Sequence, residues 1–131
     1  MLFTRESDYA IRVVRALKDG EKKSIRQICA IEEIPEAFCY KIVKKLQRAG
    51  VVEIIRGTGG GCRLKKQLSE LTLYDAVTAI EPGFAVMDCV HHFCSRNTDE
   101  EKCRVHKELL SIQHAVEELL REKTFCDILS D

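Results

Sequence analysis

Three cysteines and three histidines fall within residues 89–106, CVHHFCSRNTDEEKCRVH, of a chain of 131 residues that holds seven cysteines and four histidines in all. Thiolates of Cys89, Cys94 and Cys103 are ligands suited to iron or zinc, and Cys103 with His106 at i, i+3 would present a sulfur and an imidazole on one helix face. Exposed loop thiols without a role are an oxidation liability, which favours metal binding of some kind over inert cysteines. Zinc sites usually contain tight Cys-x-x-Cys knuckles, and none is present. Four residues separate Cys89 from Cys94 and eight separate Cys94 from Cys103, an open spacing that tilts toward an iron–sulfur cluster over zinc. His91 and His92 lie nearer Cys89 but read as solvated loop histidines.

The other cysteines read differently. Cys29, on the inner face of a helix, and Cys126, after Phe125 in an apolar tail, are consistent with small buried hydrophobes. Cys39 and Cys62 fall on a third helix and on a hairpin, where each is a candidate oxidation-sensitive thiol.

The elements that must position these residues follow from periodicity and caps. Residues 4–18 form a helix whose Ala10, Val13, Val14 and Leu17 share one apolar face. Ser24 with Gln27 is a capping box for a short second helix with Ile25, Ile28, Cys29 and Ile31 inward. Pro35 opens a third helix that turns Phe38, Ile42, Val43 and Leu46 in and Glu36, Tyr40, Lys41, Lys44, Lys45 and Arg48 out, until Gly50 stops it. This is a helix-turn-helix layout. Residues 51–56 and 62–64 pair around GTGGG as a hairpin, which directly after a recognition helix is a wing. Thr72 with Asp75 caps a helix over 73–80, and 84–98 has no period and reads as a loop. A long helix is expected from Asp99, with Val105, Leu109, Ile112, Val116 and Leu119 in a strict apolar seam that Leu110 and Leu120 widen. Beside so small a winged unit, such a seam favours a homodimer.

The expected fold class is mainly α with a small β-hairpin wing, organised as a winged helix-turn-helix domain (1–66), a linker helix with the cysteine-bearing loop (67–98) and a dimerisation helix with a C-terminal tail (99–131). Two large domains do not fit this length. Arg5, Glu6 and Asp8 interrupt the N-terminus, and no apolar run approaches the roughly 18 residues of a membrane span, so a cytoplasmic protein with no membrane partner is expected. In a reducing compartment disulfides are the wrong default for the odd number of cysteines.

The zero net charge hides an asymmetry: residues 1–66 carry 15 Lys and Arg against 8 Asp and Glu, a balance of +7, and residues 67–131 carry 6 against 13, a balance of −7. The basic half suits a polyanion. With the third helix in a major groove of double-stranded DNA, Glu36, Ala37, Tyr40 and Lys41 are the candidates to reach base edges, and Lys44, Lys45 and Arg48 to contact phosphates. The wing, with Arg56, Gly57 and Thr58, permits close backbone approach and an arginine in a minor groove. A nucleotide phosphate loop is disfavoured, because RGTGGG lacks both Gly-Lys-Ser/Thr and a following helix.

SDYAIRVV, IPEAFCYKIVKKLQRAGVV, RGTGGGCRL, LTLYDAVTAIE and the late Cys, Cys, Cys-x-x-His run together resemble the IscR/NsrR/CymR family of winged-helix transcription regulators, often called the Rrf-two family, over nearly the whole chain. The resemblance implies a homodimer on a partly palindromic operator, with the helix of about residues 99–123 as its interface and Arg56 as the minor-groove arginine. It also implies a 2Fe-2S or 4Fe-4S cluster on Cys89, Cys94 and Cys103 that reports iron–sulfur supply, oxygen, nitric oxide or redox state. Two fourth ligands remain open: His106 matches the histidine of IscR, and Asp8 matches the aspartate that NsrR-like members contribute from the other subunit. Imidazole, the softer donor, favours His106. Tyr40 and Lys41 depart from the Glu-Gln of IscR, so that protein's operator does not carry over. The alternative is a cluster-free regulator of the same fold, like CymR, responding through a partner protein, thiol oxidation or zinc. A thiol or zinc enzyme is disfavoured, since no oxyanion-donor motif or paired catalytic carboxylates accompany the cysteines.

Overall fold

Side-chain caps start most helices in the computed structural model, which describes residues 2–130. Thr4 accepts the Ser7 N–H at the start of α1 (Arg5–Ala16), and Ser24 and Gln27 form a reciprocal capping box on α2 (Ile25–Glu32). Pro35 precedes α3 (Glu36–Arg48). β1 (Val52–Ile55) and β2 (Gly61–Leu64) then pair antiparallel, Val52 opposite Leu64 and Ile55 opposite Gly61. Thr72 and Asp75 box the start of α4 (Leu73–Ile80), Cys103 precedes α5 (Arg104–Glu122), and Thr124 with Asp127 boxes the short α6 (Phe125–Leu129).

The core lies where α1, α3 and α4 meet. Ala10, Val13, Val14 and Leu17 face Ile28, Ile42, Val43, Leu46, Ala76 and Ile80, and Phe125 of α6 enters the same cluster. Leu17, Ile28, Ile42, Leu46 and Leu71 are at most 1% exposed, and full burial of each such side chain contributes roughly 1.5–3 kcal/mol, so apolar packing orients α3. α1 is tied to α2 by Arg15, whose Nε donates to both carboxylate oxygens of the buried Glu32 at 2.9 and 3.2 Å. Glu33 closes α2 in the left-handed region at φ 54°, giving the sharp turn into α3. Lys23 exchanges backbone hydrogen bonds with Cys62 at 2.9 and 2.8 Å, which ties the wing back to the start of α2.

The helical wing architecture matches the expected fold class, with four local differences. Phe38 is 44% exposed, and Cys39 takes the inward position, because the buried arc of α3 is centred on Cys39, Ile42, Val43 and Leu46, a full residue round from Phe38. Ile31 is 53% exposed because the next residue, Glu32, turns inward to meet Arg15. Cys126 is exposed, since α6 anchors through Phe125, whose N–H donates to the Leu71 carbonyl at 2.7 Å, and its other side faces solvent. α5 starts at Arg104 and not at Asp99: Thr98 caps a separate turn by accepting the Glu101 N–H at 3.1 Å, and Asn97 accepts the Cys103 N–H at 2.9 Å, holding the chain out of the helix until Cys103. Among the described residues no helix is long and apolar enough to cross a membrane.

Candidate DNA interface and cysteine segment

α3 turns its charged side to solvent. Glu36, Ala37, Tyr40, Lys41 and Arg48 are exposed, and Lys44 and Lys45 are half-buried. Lys44 Nζ stands 5.7 Å from the centre of the Tyr40 ring, within cation–π range. Two members of the face already hold partners: Lys45 donates to Glu6 at 2.9 Å, and Glu36 lies 3.8 Å from Arg26. Lys41, Lys44 and Arg48 make no ion pair among the described residues and are cations available to a polyanion such as a phosphate backbone.

At the wing tip Arg56, Gly57 and Thr58 are exposed. Gly57 and Gly59 take φ of 94° and 75°, where other residues are strained. Gly60 and Gly61 are required for a different reason: a methyl group at Gly60 would overlap the Ile55 and Gly57 carbonyl oxygens, and one at Gly61 would lie 2.7 Å from the Lys23 carbonyl oxygen. The Gly60 N–H donates to Gly57 O at 2.9 Å and closes the turn, so the tip is shaped before any ligand arrives.

Cys89 occupies a single 3₁₀ turn (Asp88–Val90), Cys94 the loop after it, and Cys103 the N-cap of α5; all three are free and half-buried. Cys103 Sγ accepts the His106 N–H at 3.4 Å, the kind of bond that ligating sulfurs accept. The His106 ring adds an unusual feature: its Nδ1 is buried with no hydrogen-bond partner. Leaving such an atom unpaired costs about 1–3 kcal/mol, which a ligand bond would recover. Three thiols and an imidazole suit an iron–sulfur cluster chemically. Among the described residues, however, no three Cys, His, Asp or Glu side chains converge closely enough to hold a metal ion, so loading would have to draw the segment together. Asp8 stands apart on α1, 3.2 Å from Arg12, lining an apolar groove of about 570 Å³ with Phe3, Ile11, Leu73, Val77 and Leu120.

Cys39 and Cys62, the candidate oxidation-sensitive thiols, are at most 1% exposed. Burial pushes the Cys39 thiol up to about 12, with the neighbouring Cys29 thiol adding to the effect, and burial pushes Cys62 up to about 11. Both are thus held as unreactive neutral thiols.

Four residues that bear on this segment, Gln113, Phe84, Phe3 and Asn97, have no counterpart among the sequence-derived candidates. Gln113, 1% exposed on α5, accepts the Val86 N–H at 2.8 Å and donates to Phe84 O at 2.9 Å. The Phe84 ring stacks on Phe3 at 5.3 Å, and Asn97 restrains Cys103. A signal for Gln113 was present: it lies four residues past Leu109 in the apolar stripe, where an amide is out of place unless bonded.

The family model for Rrf2, iron-dependent transcriptional regulator, matches residues 3–131. Protein aau3 of Rhizobium meliloti (strain 1021) is 41% identical over 91 residues, covering 68% of the chain but only 59% of that protein's own length. The HTH-type transcriptional regulator NsrR of Geobacillus kaustophilus (strain HTA426) is 31% identical over 134 residues, covering 100% of the chain and 91% of that protein. Among solved structures, CymR (YrzC), the global cysteine regulator of B. subtilis, superposes with a TM-score of 0.76 at 21% identity over 98% of each chain.

Proposed function

Since the chain belongs to the Rrf2 family of transcriptional regulators, we propose that it is a DNA-binding homodimer whose operator affinity is set by an iron–sulfur cluster, 2Fe-2S or 4Fe-4S, on its cysteine segment. In this reading Lys41, Lys44 and Arg48 engage phosphates, while Glu36, Ala37 and Tyr40 meet base edges, with Lys41 reaching either. Lys45 is a secondary phosphate contact, being shared with Glu6. Arg56 enters the minor groove beside the Gly57–Thr58 backbone. The dimer forms through α5, where Val105, Ile112 and Leu119 are 66%, 44% and 67% exposed along one seam.

Cys89, Cys94 and Cys103 would hold the cluster, with His106 as fourth ligand and Asp8 of the second copy as its rival. When bound, the cluster supplies a centre that changes with oxygen, nitric oxide, redox state or iron–sulfur supply. The observation that carries this reading is the His106 ring: a buried, unpartnered Nδ1 three residues from a thiol, at the helix end where the segment meets the seam. The chain's own part is to order residues 84–103 between the winged unit and α5, which biases the spacing of the two recognition helices; a coupling of about 1–3 kcal/mol changes affinity about 5- to 150-fold.

A second reading is favoured by the lack of convergence among the donors: a cluster-free regulator that responds through a partner protein, thiol oxidation or zinc. Protein purified without oxygen decides between them. Strong visible absorption with matched iron and sulfide, lost together with a shift in operator affinity on Cys→Ser substitution at 89, 94 and 103, supports the cluster. A colourless protein, with or without stoichiometric zinc, supports the second reading.

A further inference from the structure

The Phe84 carbonyl is a junction. It accepts the Gln113 side-chain N–H at 2.9 Å and lies 3.2 Å from His91 Nε2, so both ends of the loop 84–91, which carries Cys89, meet at one oxygen that α5 holds. The Gln113 amide is clamped in turn. Its Oε1 accepts the Val86 N–H at 2.8 Å, and its Nε2 also donates to Glu117 Oε1 at 3.0 Å. An amide 1% exposed on an otherwise apolar helix stripe is tolerated only when bonded, and this one is bonded to backbone groups two residues apart, the pattern by which a parallel strand holds its neighbour. On the opposite side the Phe84 ring stacks on Phe3 at 5.3 Å and 16°, immediately before Thr4 caps α1 of the winged unit. One residue thus touches the cysteine loop and α5 through its carbonyl and the winged unit through its ring.

We infer that Gln113 is a positioning residue that, through the carbonyl and ring of Phe84, transmits the state of the Cys89 loop to the N-terminus of α1. This rests on the cluster-sensing reading above and names the chain's own coupling element for it. Cys89 lies two residues before His91, so a shift of its turn acts on the His91 contact with the Phe84 carbonyl and, through that oxygen, on the bond to Gln113. Movement of Phe84 shifts the surface on which Phe3 and the first turn of α1 rest. Gln113 touches neither the thiols nor DNA; its role is to make the loop and α5 move as one.

The test compares wild type with Gln113→Ala, Gln113→Glu and Phe3→Leu in two measurements. In metal-free protein, amide exchange at Val86 should quicken at least about tenfold in Gln113→Ala and in Gln113→Glu, whose carboxylate replaces the donor to Phe84 and Glu117 with a like-charged acceptor, and stay protected in Phe3→Leu. The second measurement is the ratio of affinities with and without reconstitution by ferrous iron and sulfide, for a duplex selected from random sequence with the wild-type protein. Wild type should show a ratio of about 5- to 150-fold, which Gln113→Ala and Phe3→Leu should bring within about twofold of unity at unchanged iron and sulfide content. Gln113→Glu, which lacks the donor to Phe84, should lose the ratio as Gln113→Ala does. A wild-type ratio in Gln113→Ala with the Val86 amide freed overturns the inference; if that variant does not fold, a wild-type ratio in Phe3→Leu does so. A wild-type protein that takes up iron and sulfide without any change in affinity, or takes up none, overturns the sensing reading and this one with it, and is told apart from the first failure by the wild-type data alone.

Discussion

Lys45 Nζ of α3 lies 2.9 Å from Glu6 Oε2 of α1, so one of the lysines on the ridge proposed to face DNA is shared with a carboxylate of the same chain. Lys41, one turn earlier, has no such partner. Each phosphate-bound lysine contributes about one unit to the slope of log affinity against log salt. Lys41→Ala is therefore expected to reduce the slope by about one, and Lys45→Ala by clearly less. Glu6→Gln should raise affinity at low salt by releasing Lys45. Fluorescence anisotropy across a salt series checks this, and equal slopes for the two alanine variants would contradict it.

Gly60 gives the cleanest separation of wing from fold. A side chain there meets two backbone carbonyls, neither of which can retreat as a flexible side chain would, whereas Gly83 faces open space without a positive φ. Gly60→Ala is expected to leave the helical circular dichroism intact and weaken operator binding about tenfold or more, the size of one lost groove contact. Gly83→Ala should bind as wild type. Retention of full affinity by Gly60→Ala would remove the wing from the interface.

How far these sites could be read from sequence depends on how local their causes are. The capping boxes at Ser24, Thr72 and Thr124 and the α1 face of Ala10, Val13, Val14 and Leu17 arise from residues within one or two turns, and the first two boxes and that face were legible. The inward residue of α3 was misassigned: Phe38 and Cys39 are adjacent, the larger apolar side chain reads as the inward one, and the buried arc shared with Ile42, Val43 and Leu46 passes through Cys39. The start of α5 was misplaced because acidic residues 99–101 look like a first turn, while the restraint on Cys103 comes from Asn97, six residues away. The candidate ligand residues were visible as types, but they do not converge among the described residues, and the loop that carries Cys89 is held by Gln113, 24 residues beyond it, which no local pattern records.

Cys39 and Cys62 predict a particular alkaline response. Their folded values, about 12 and about 11, stand above the ordinary 9.0 that the unfolded chain takes. Below about pH 9 both states keep the protons and burial stabilises in full; as pH climbs from 9 toward 11 and 12 the unfolded state sheds them first, so stability falls. The urea midpoint of the metal-free, reduced protein should drop over this window, less steeply in Cys39→Ala than in wild type. In native protein at pH 8, a thiol reagent should modify the exposed Cys126 early and Cys39 and Cys62 only on unfolding. Early modification of Cys39 would overturn the burial argument.

The α5 seam carries the last prediction. Ile112 is 44% exposed in one chain and lies outside the core cluster, between Val105 and Leu119 on the same stripe, so an arginine there leaves the monomer's packing unchanged. Across a dimer interface the same arginine would place two guanidinium groups in apolar surroundings without counter-charges, a burial that proteins avoid. Ile112→Arg should therefore sediment as a folded monomer at concentrations where wild type is a dimer. Because two half-sites bound through one linked pair gain about 10²- to 10⁴-fold over a single contact, operator affinity should fall by a similar factor while binding to a half-site duplex is retained. His114→Arg, exposed on another face of α5, controls for the added charge and should remain dimeric. If Ile112→Arg stays a dimer, the copies meet elsewhere, and the cysteine segment at the start of α5 would no longer adjoin the interface it is proposed to control.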